Sequence, residues 1–214
     1  MPFGVPKVTF QSHEEEEATW IDLYNRLYRE RILFLCREIK EELANNLVSL
    51  MVFLDIDHTT WTQTMFIHSP GGFVFPGLAI YDTVLAVGAR TVCAGIAASM
   101  ASVVLIGGEQ SKRLAFPHAL LALSCETKER LFIHIIRVMI HQPRMKDFED
   151  STSGVIMETR VLLDLRERIV HIYVQRTGQP HRIINADLEV DTYMSAKEAM
   201  TYGIIDAIAQ SVEE

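Results

Sequence analysis

Apolar residues along this chain recur in two rhythms, and the switches between them predict its elements. Trp20, Leu23, Tyr24, Leu27 and Tyr28 fall at helical spacing, which predicts a first helix over residues 19–29. Ile32-Leu33-Phe34-Leu35 is a short apolar run, the mark of a buried strand. Leu43, Leu47, Leu50 and Leu54 then define one face of a second helix. Met65-Phe66-Ile67 is the next strand, closed by the turn Ser69-Pro70-Gly71-Gly72. Gly77 to Val87 has helical character, Arg90 to Ala94 strand character, and Ser99 to Leu105 helical character again. Leu114-Ala115-Phe116 and Arg137–Ile140 are predicted strands, and Ile156 to Gln175 a long amphipathic helix. Ser195 and Glu198 make an S-x-x-E capping box for a last helix, which Gly203 ends. Repeated strand-helix units predict an α/β fold with a largely covered sheet.

Composition narrows the class of protein. The 214 residues include 49% hydrophobic and 22% charged positions, ordinary for a globular chain of this length. Lys and Arg number 20 against 28 Asp and Glu, a net charge of −8, which argues against nucleic acid as a partner. Three cysteines, Cys36, Cys93 and Cys125, are widely spaced without a CxxC pair. That excludes a disulfide framework and a cysteine-rich zinc site and points to a reducing compartment. The first residues show neither a signal-peptide apolar core nor a transit-peptide composition, so the protein is expected to work where it is made. Thr91 to Gly108 runs eighteen residues without a charge. Its small residues and closing Gly107-Gly108 fit a buried strand-turn-helix better than a membrane span.

Four segments could carry chemistry. Gly95-Ile96-Ala97-Ala98-Ser99-Met100 places a serine between a predicted strand and a helix, where a sharp turn projects a hydroxyl toward unpaired N–H groups. Taken alone, the pattern fits an N-cap serine beside tightly packed alanines at least as well. His141 ends a predicted strand, where sites collect in α/β sheets, though a satisfied polar histidine fits the same position. Ser69-Pro70-Gly71-Gly72 could turn backbone N–H groups toward a ligand or be a plain tight turn. Asp187-Leu188-Glu189-Val190-Asp191 is a carboxylate cluster or solvated surface. The remaining histidines show no metal-ligand spacing.

Together these segments resemble the Clp protease proteolytic subunit family. The resemblance is carried by Ser69-Pro70-Gly71-Gly72, Gly95–Met100, Arg137-Val138-Met139-Ile140-His141-Gln142-Pro143 and Asp191-x-x-Met194-Ser195-Ala196. It runs from about residue 5 to residue 209, and details such as Leu23–Arg31 and Tyr173–Gly178 are similar to the plastid-encoded form. The resemblance implies a single domain over 1–214, a stack of ββα units of the ClpP/crotonase-like kind with a projecting handle at about 142–177. It implies a Ser99, His141 and Asp191 triad, with the backbone N–H groups of Gly72 and Met100 as oxyanion hole. The activity implied is serine endopeptidase hydrolysis of unfolded proteins through an acyl-enzyme, with no metal or cofactor in the proteolytic step. The partners implied are like subunits in two stacked heptameric rings and an AAA+ Clp unfoldase that consumes the ATP; no nucleic acid or membrane is expected. The location implied is the plastid stroma, or else bacterial cytoplasm.

The chain departs from that pattern in three places. Leu120 to Ile136, seventeen residues, has no family counterpart and is expected to extend a hairpin, with Ser124–Arg130 at its tip and its apolar flanks paired or packed. Val190 stands where the family usually has an arginine used in ring-to-ring contact. Arg144-Met145-Lys146-Asp147-Phe148 replaces a usually glycine-rich strand. Two rival readings remain: a catalytically weak structural subunit of a mixed Clp ring, and a hydratase or isomerase of the crotonase fold, which does not need the serine-histidine pair.

Overall fold

A computed structural model describes residues 4–11, 18–58, 60–122, 152–189 and 192–209. The chain enters through strand β1 (Lys7–Phe10), which pairs antiparallel with β2 (Thr19–Asp22). Helix α1 (Leu23–Arg29) follows directly, because the Asp22 side chain accepts the Asn25 N–H at 3.0 Å and caps it. The helix expected over 19–29 is therefore shorter: an aspartate with extended backbone makes a cap, and Trp20 lies in the strand before it.

The main sheet grows from β3 (Ile32–Leu35), β4 (Thr64–Ser69), β5 (Arg90–Ala98), β6 (Arg113–Ala115) and β9 (Ala207–Ile208), all parallel and in that order. Three helices make the crossovers: α2 (Glu41–Asp57), α3 (Val74–Ala86) and α4 (Met100–Ile106). Helix α2 begins with Glu41 and Glu42, whose charges favour the helix N-terminus. Pro76 sits in the first turn of α3, where no intrahelical N–H bond is lost. Leu33, Leu35, Met65 and Ile67 on alternate strand positions bury completely under the helices, with Ala44, Met51, Ile80 and Val84 facing them. Helix α4 is buried along its whole length.

Strand β5 is long enough to serve two neighbours on one edge. Its first half, Thr91 to Cys93, pairs with β6, and its second half, Ile96 to Ala98, pairs with β7 (Leu120–Ala122). Gly95 lies at the change-over, where a Cβ would sit 2.2 Å from the His68 ring. Strand β8 (Tyr193–Ser195) then adds antiparallel to β7 in the register Leu120↔Ser195, Leu121↔Met194, Ala122↔Tyr193. Helix α5 (Thr152–Thr177) packs its C-terminal half on the core through Ile169, Val170 and Tyr173, and α6 (His181–Asp187) leads back toward the sheet. The capping box opens α7 (Ala196–Tyr202), and Gly203 closes it with left-handed backbone.

Strand β7 consists of the first three residues of the insertion. It pairs within the main sheet, parallel to β5 and antiparallel to β8. Residues 123–151 lie outside the described residues, so the hairpin tip and the strand expected at Arg137–Ile140 do too. No helix among the described residues is long and apolar enough to cross a membrane.

Candidate active site

Ser99 joins β5 to α4 with φ 51° and ψ −126°, a left-handed conformation that costs a serine about 1–3 kcal/mol. Its two preceding neighbours are small and buried, Ala97 and Ala98. Ser99 occupies the N-cap position of α4, yet its side chain makes no capping hydrogen bond. Strain without a cap is the opposite of what an N-cap serine shows.

The glycine turn packs directly on this serine. Gly71 has φ 90°, and a Cβ there would lie 2.5 Å from the Ala98 carbonyl, 2.8 Å from Ser99 Cβ and 3.0 Å from the Met100 nitrogen. Gly72, at φ 153°, passes so close to Ile39 that a Cβ would meet its carbonyl oxygen at 2.3 Å. Three bonds hold the turn. Ile39 N–H donates to Gly71 O at 2.7 Å, Phe73 N–H donates to Ile39 O at 2.9 Å, and Gly71 N–H donates to Ser69 Oγ at 3.1 Å. The Ser69 hydroxyl in turn donates to Arg37 O at 2.6 Å. Neither Gly72 N–H nor Met100 N–H donates to an acceptor among the described residues. Downstream, Gly77 lets the start of α3 lie against the Met100 side chain.

His141 and Asp191 lie outside the described residues. Their neighbours in the chain do not. Ala122 of β7 pairs with Ala98, next to Ser99, and Tyr193 of β8, two residues after Asp191, pairs with Ala122. Asp187, the other carboxylate of the cluster, accepts the Tyr202 hydroxyl at 2.6 Å, and its carbonyl accepts Thr192 Oγ1 at 3.1 Å. Burial, together with that bond to Asp187, pushes the Tyr202 phenol up.

Other nucleophiles and bases nearby are otherwise engaged. Burial pushes the Cys93 thiol up to about 12, and burial also raises Cys36, so neither is primed as a thiolate. His68 Nδ1 accepts the Ile96 N–H at 3.1 Å, which ties the ring to β5 where it changes neighbours. No group of three or more His, Cys, Asp or Glu side chains gathers to hold a metal among the described residues. Sequence reasoning passed over His68, and also Ser102 and Tyr173, which hold the backbone of Ser99; nothing in local spacing marks a contact across 71 residues.

The Clp protease family model matches residues 14–123 and 118–212 of the chain. The chain belongs to the Clp protease family. The two matched stretches overlap at 118–123, which contain β7, so the family pattern breaks where the insertion enters the sheet. The ATP-dependent Clp protease proteolytic subunit of Nicotiana tabacum is 50% identical over 211 residues, covering 98% of this chain and 99% of that protein. The subunit of the same name from Lotus japonicus is 51% identical with the same coverage, and that of Daucus carota 50% identical over 98% of each. Membership of the Clp protease family makes the chain a serine-type endopeptidase. Its mixed α/β architecture, a parallel sheet flanked by helices, agrees with that family.

Proposed function

We propose that this Clp protease chain cleaves peptide bonds with Ser99 as nucleophile, His141 as general base and Asp191 as the carboxylate that orients the histidine. The attack forms a tetrahedral intermediate whose oxyanion takes hydrogen bonds from Gly72 N–H and Met100 N–H; it collapses as His141 returns the serine proton to the leaving amine and the C–N bond breaks, giving an acyl-enzyme that water hydrolyses. One observation carries this reading: a strained, uncapped serine packed against a double-glycine turn. The β7–β8 pairing supports Asp191, since two residues from Tyr193 span at most about 7 Å. The eighteen residues between Ala122 and His141 give ample reach for a return to the same sheet end.

The Clp protease family implies oligomeric rings and an ATPase partner. For this chain we infer one peptidase domain, residues 1–214, in two stacked heptameric rings in the plastid stroma. The substrates are unfolded proteins, and the unfoldase consumes the ATP. No cofactor is needed in the subunit itself.

A fluorophosphonate labels only an activated serine and so tests the assignment. Labelling of the assembled protein that disappears in Ser99→Ala is the expected result; labelling that persists moves the nucleophile elsewhere. Asp191→Asn keeps the shape but favours the wrong imidazole tautomer, so hydrolysis should fall on the order of 10⁴-fold. An unchanged rate reassigns the third residue. The second reading, a catalytically weak subunit of a mixed ring, is favoured by the entry of insertion residues 120–122 into the sheet beside Ser99. It predicts no labelling of the intact chain.

A further inference from the structure

The backbone of Ser99 is held by two buried side chains that the triad does not use. Ser102 lies fully buried in the first turn of α4, and both its N–H, at 2.9 Å, and its hydroxyl, at 2.6 Å, reach the Ser99 carbonyl. Tyr173, on α5 and 1% exposed, places its hydroxyl 2.7 Å from Ser102 Oγ. Counting protons settles the direction. The Ser99 carbonyl can only accept, and Ser102 has one hydroxyl proton, so Ser102 donates to the carbonyl and Tyr173 donates to Ser102. Burial pushes the Tyr173 phenol well above its ordinary value, so the proton this relay needs stays on.

We propose that Ser102 and Tyr173 are positioning residues that aim the Met100 N–H at the oxyanion. The inference rests on the assignment of Met100 N–H as an oxyanion donor. Its physical basis is the peptide plane between Ser99 and Met100. In a trans peptide the C=O and N–H point in opposite directions, so fixing the oxygen fixes the N–H. Ser99 holds a conformation that serine avoids, and rotating this plane changes its ψ, which could carry it toward the less costly left-handed helical well. Two donors on the carbonyl oppose that rotation. They also polarise the amide, which makes its N–H the stronger donor as negative charge develops. Tyr173 carries the restraint to α5, so a helix outside the nucleophile turn sets how firmly that turn is held.

The test uses the assembled full-length protein, a fluorogenic peptide, the fluorophosphonate and a peptide boronate that forms a tetrahedral adduct. Ser102→Ala removes the hydroxyl donor; kcat should fall about 10- to 100-fold with KM within twofold, given that losing one oxyanion donor costs about 10²–10³. Labelling rate and boronate affinity should fall in proportion. Tyr173→Phe should lower kcat about three- to tenfold. The double variant should be no slower than Ser102→Ala, because Tyr173 acts only through Ser102; a merely structural pair would instead lower melting temperature and leave the kcat-to-KM split unmoved. A kcat within twofold of the parent in Ser102→Ala overturns the proposal, as do losses that multiply in the double variant. Should Ser102→Ala not assemble, Tyr173→Phe decides, and an unchanged kcat there overturns it. Ser99→Ala runs alongside. If it abolishes labelling while Ser102→Ala keeps full rate, this inference fails and the site stands; if it still labels, the site assignment itself fails.

Discussion

Gly71 meets three atoms of the Ser99 turn within 3.0 Å of where its Cβ would be, and its φ of 90° is one that side-chain-bearing residues rarely adopt. Gly71→Ala must push the turn away from Ser99 and Met100, so labelling should be lost while the rest of the fold persists, which circular dichroism alongside the labelling assay would show. The sequence displayed this glycine pair openly. It could not display which atoms the pair would touch, because those lie on another strand. Arg113 and Asp206, 93 residues apart, make the same point. Arg113 is buried, its guanidinium grips both Asp206 oxygens at 2.6 and 3.0 Å, and its third arm reaches the Arg176 carbonyl at 2.9 Å. Burial alone would raise the Asp206 carboxyl, but the Arg113 hydrogen bonds and charge, with a backbone donor at Ser111, outweigh it and hold it below the usual range. A depressed folded pKa contributes stability that is complete above the unfolded value of about 4 and is lost as pH falls through the folded one. Asp206→Asn leaves a buried guanidinium unpaired and should cost about 3 kcal/mol at neutral pH. Urea midpoints should show that deficit shrinking below about pH 4; a constant deficit would assign the loss to packing instead.

The capping box at the start of α7 was legible because its two side chains and two N–H groups lie within four residues. Ser195 N–H donates to Glu198 Oε2 at 2.7 Å, and Glu198 N–H donates to Ser195 Oγ at 3.3 Å. Ser195→Ala should therefore cost about 1 kcal/mol, read as a shift in urea midpoint. The boundary of α1 was less legible, because helical spacing over 19–29 gave no sign that β1 would pair with residues 19–22. Strand β7 was harder still. Its three residues, Leu120 to Ala122, join β5 and β8, and local preference does not say which distant strands a short apolar run will pair with. Deleting Leu120–Ile136 joins Ala119 directly to Arg137, restoring the family's spacing. The shortened chain should fold and its serine label at least as fast as in the intact protein. Lost labelling would mean that the insertion's own residues support the site.

At the scale of the molecule, a folded subunit leaves a large amount of apolar surface uncovered. Phe53 is 64% exposed, Ile56 77% and Trp61 63% near the end of α2, and Phe73 and Phe75 are exposed at the start of α3. Monomeric proteins rarely carry this much exposed apolar surface, and ring assembly is what would bury it. Sedimentation should accordingly show species many times the 24.3 kDa of the chain, and a lone monomer at micromolar concentration would contradict the ring. The sequence by itself determined the α/β class, the order of helices and strands from β3 to β6 and the family, because periodicity and short motifs are local properties and the packing followed them there. Tertiary structure alone decided that the glycine turn would press on Ser99 and that Tyr173 would hold the Ser99 carbonyl through Ser102. It also placed Leu120–Ala122 in the sheet beside Ser99. Each of these joins residues far apart in the chain, and only the packing of one sheet against its helices sets the distance between them.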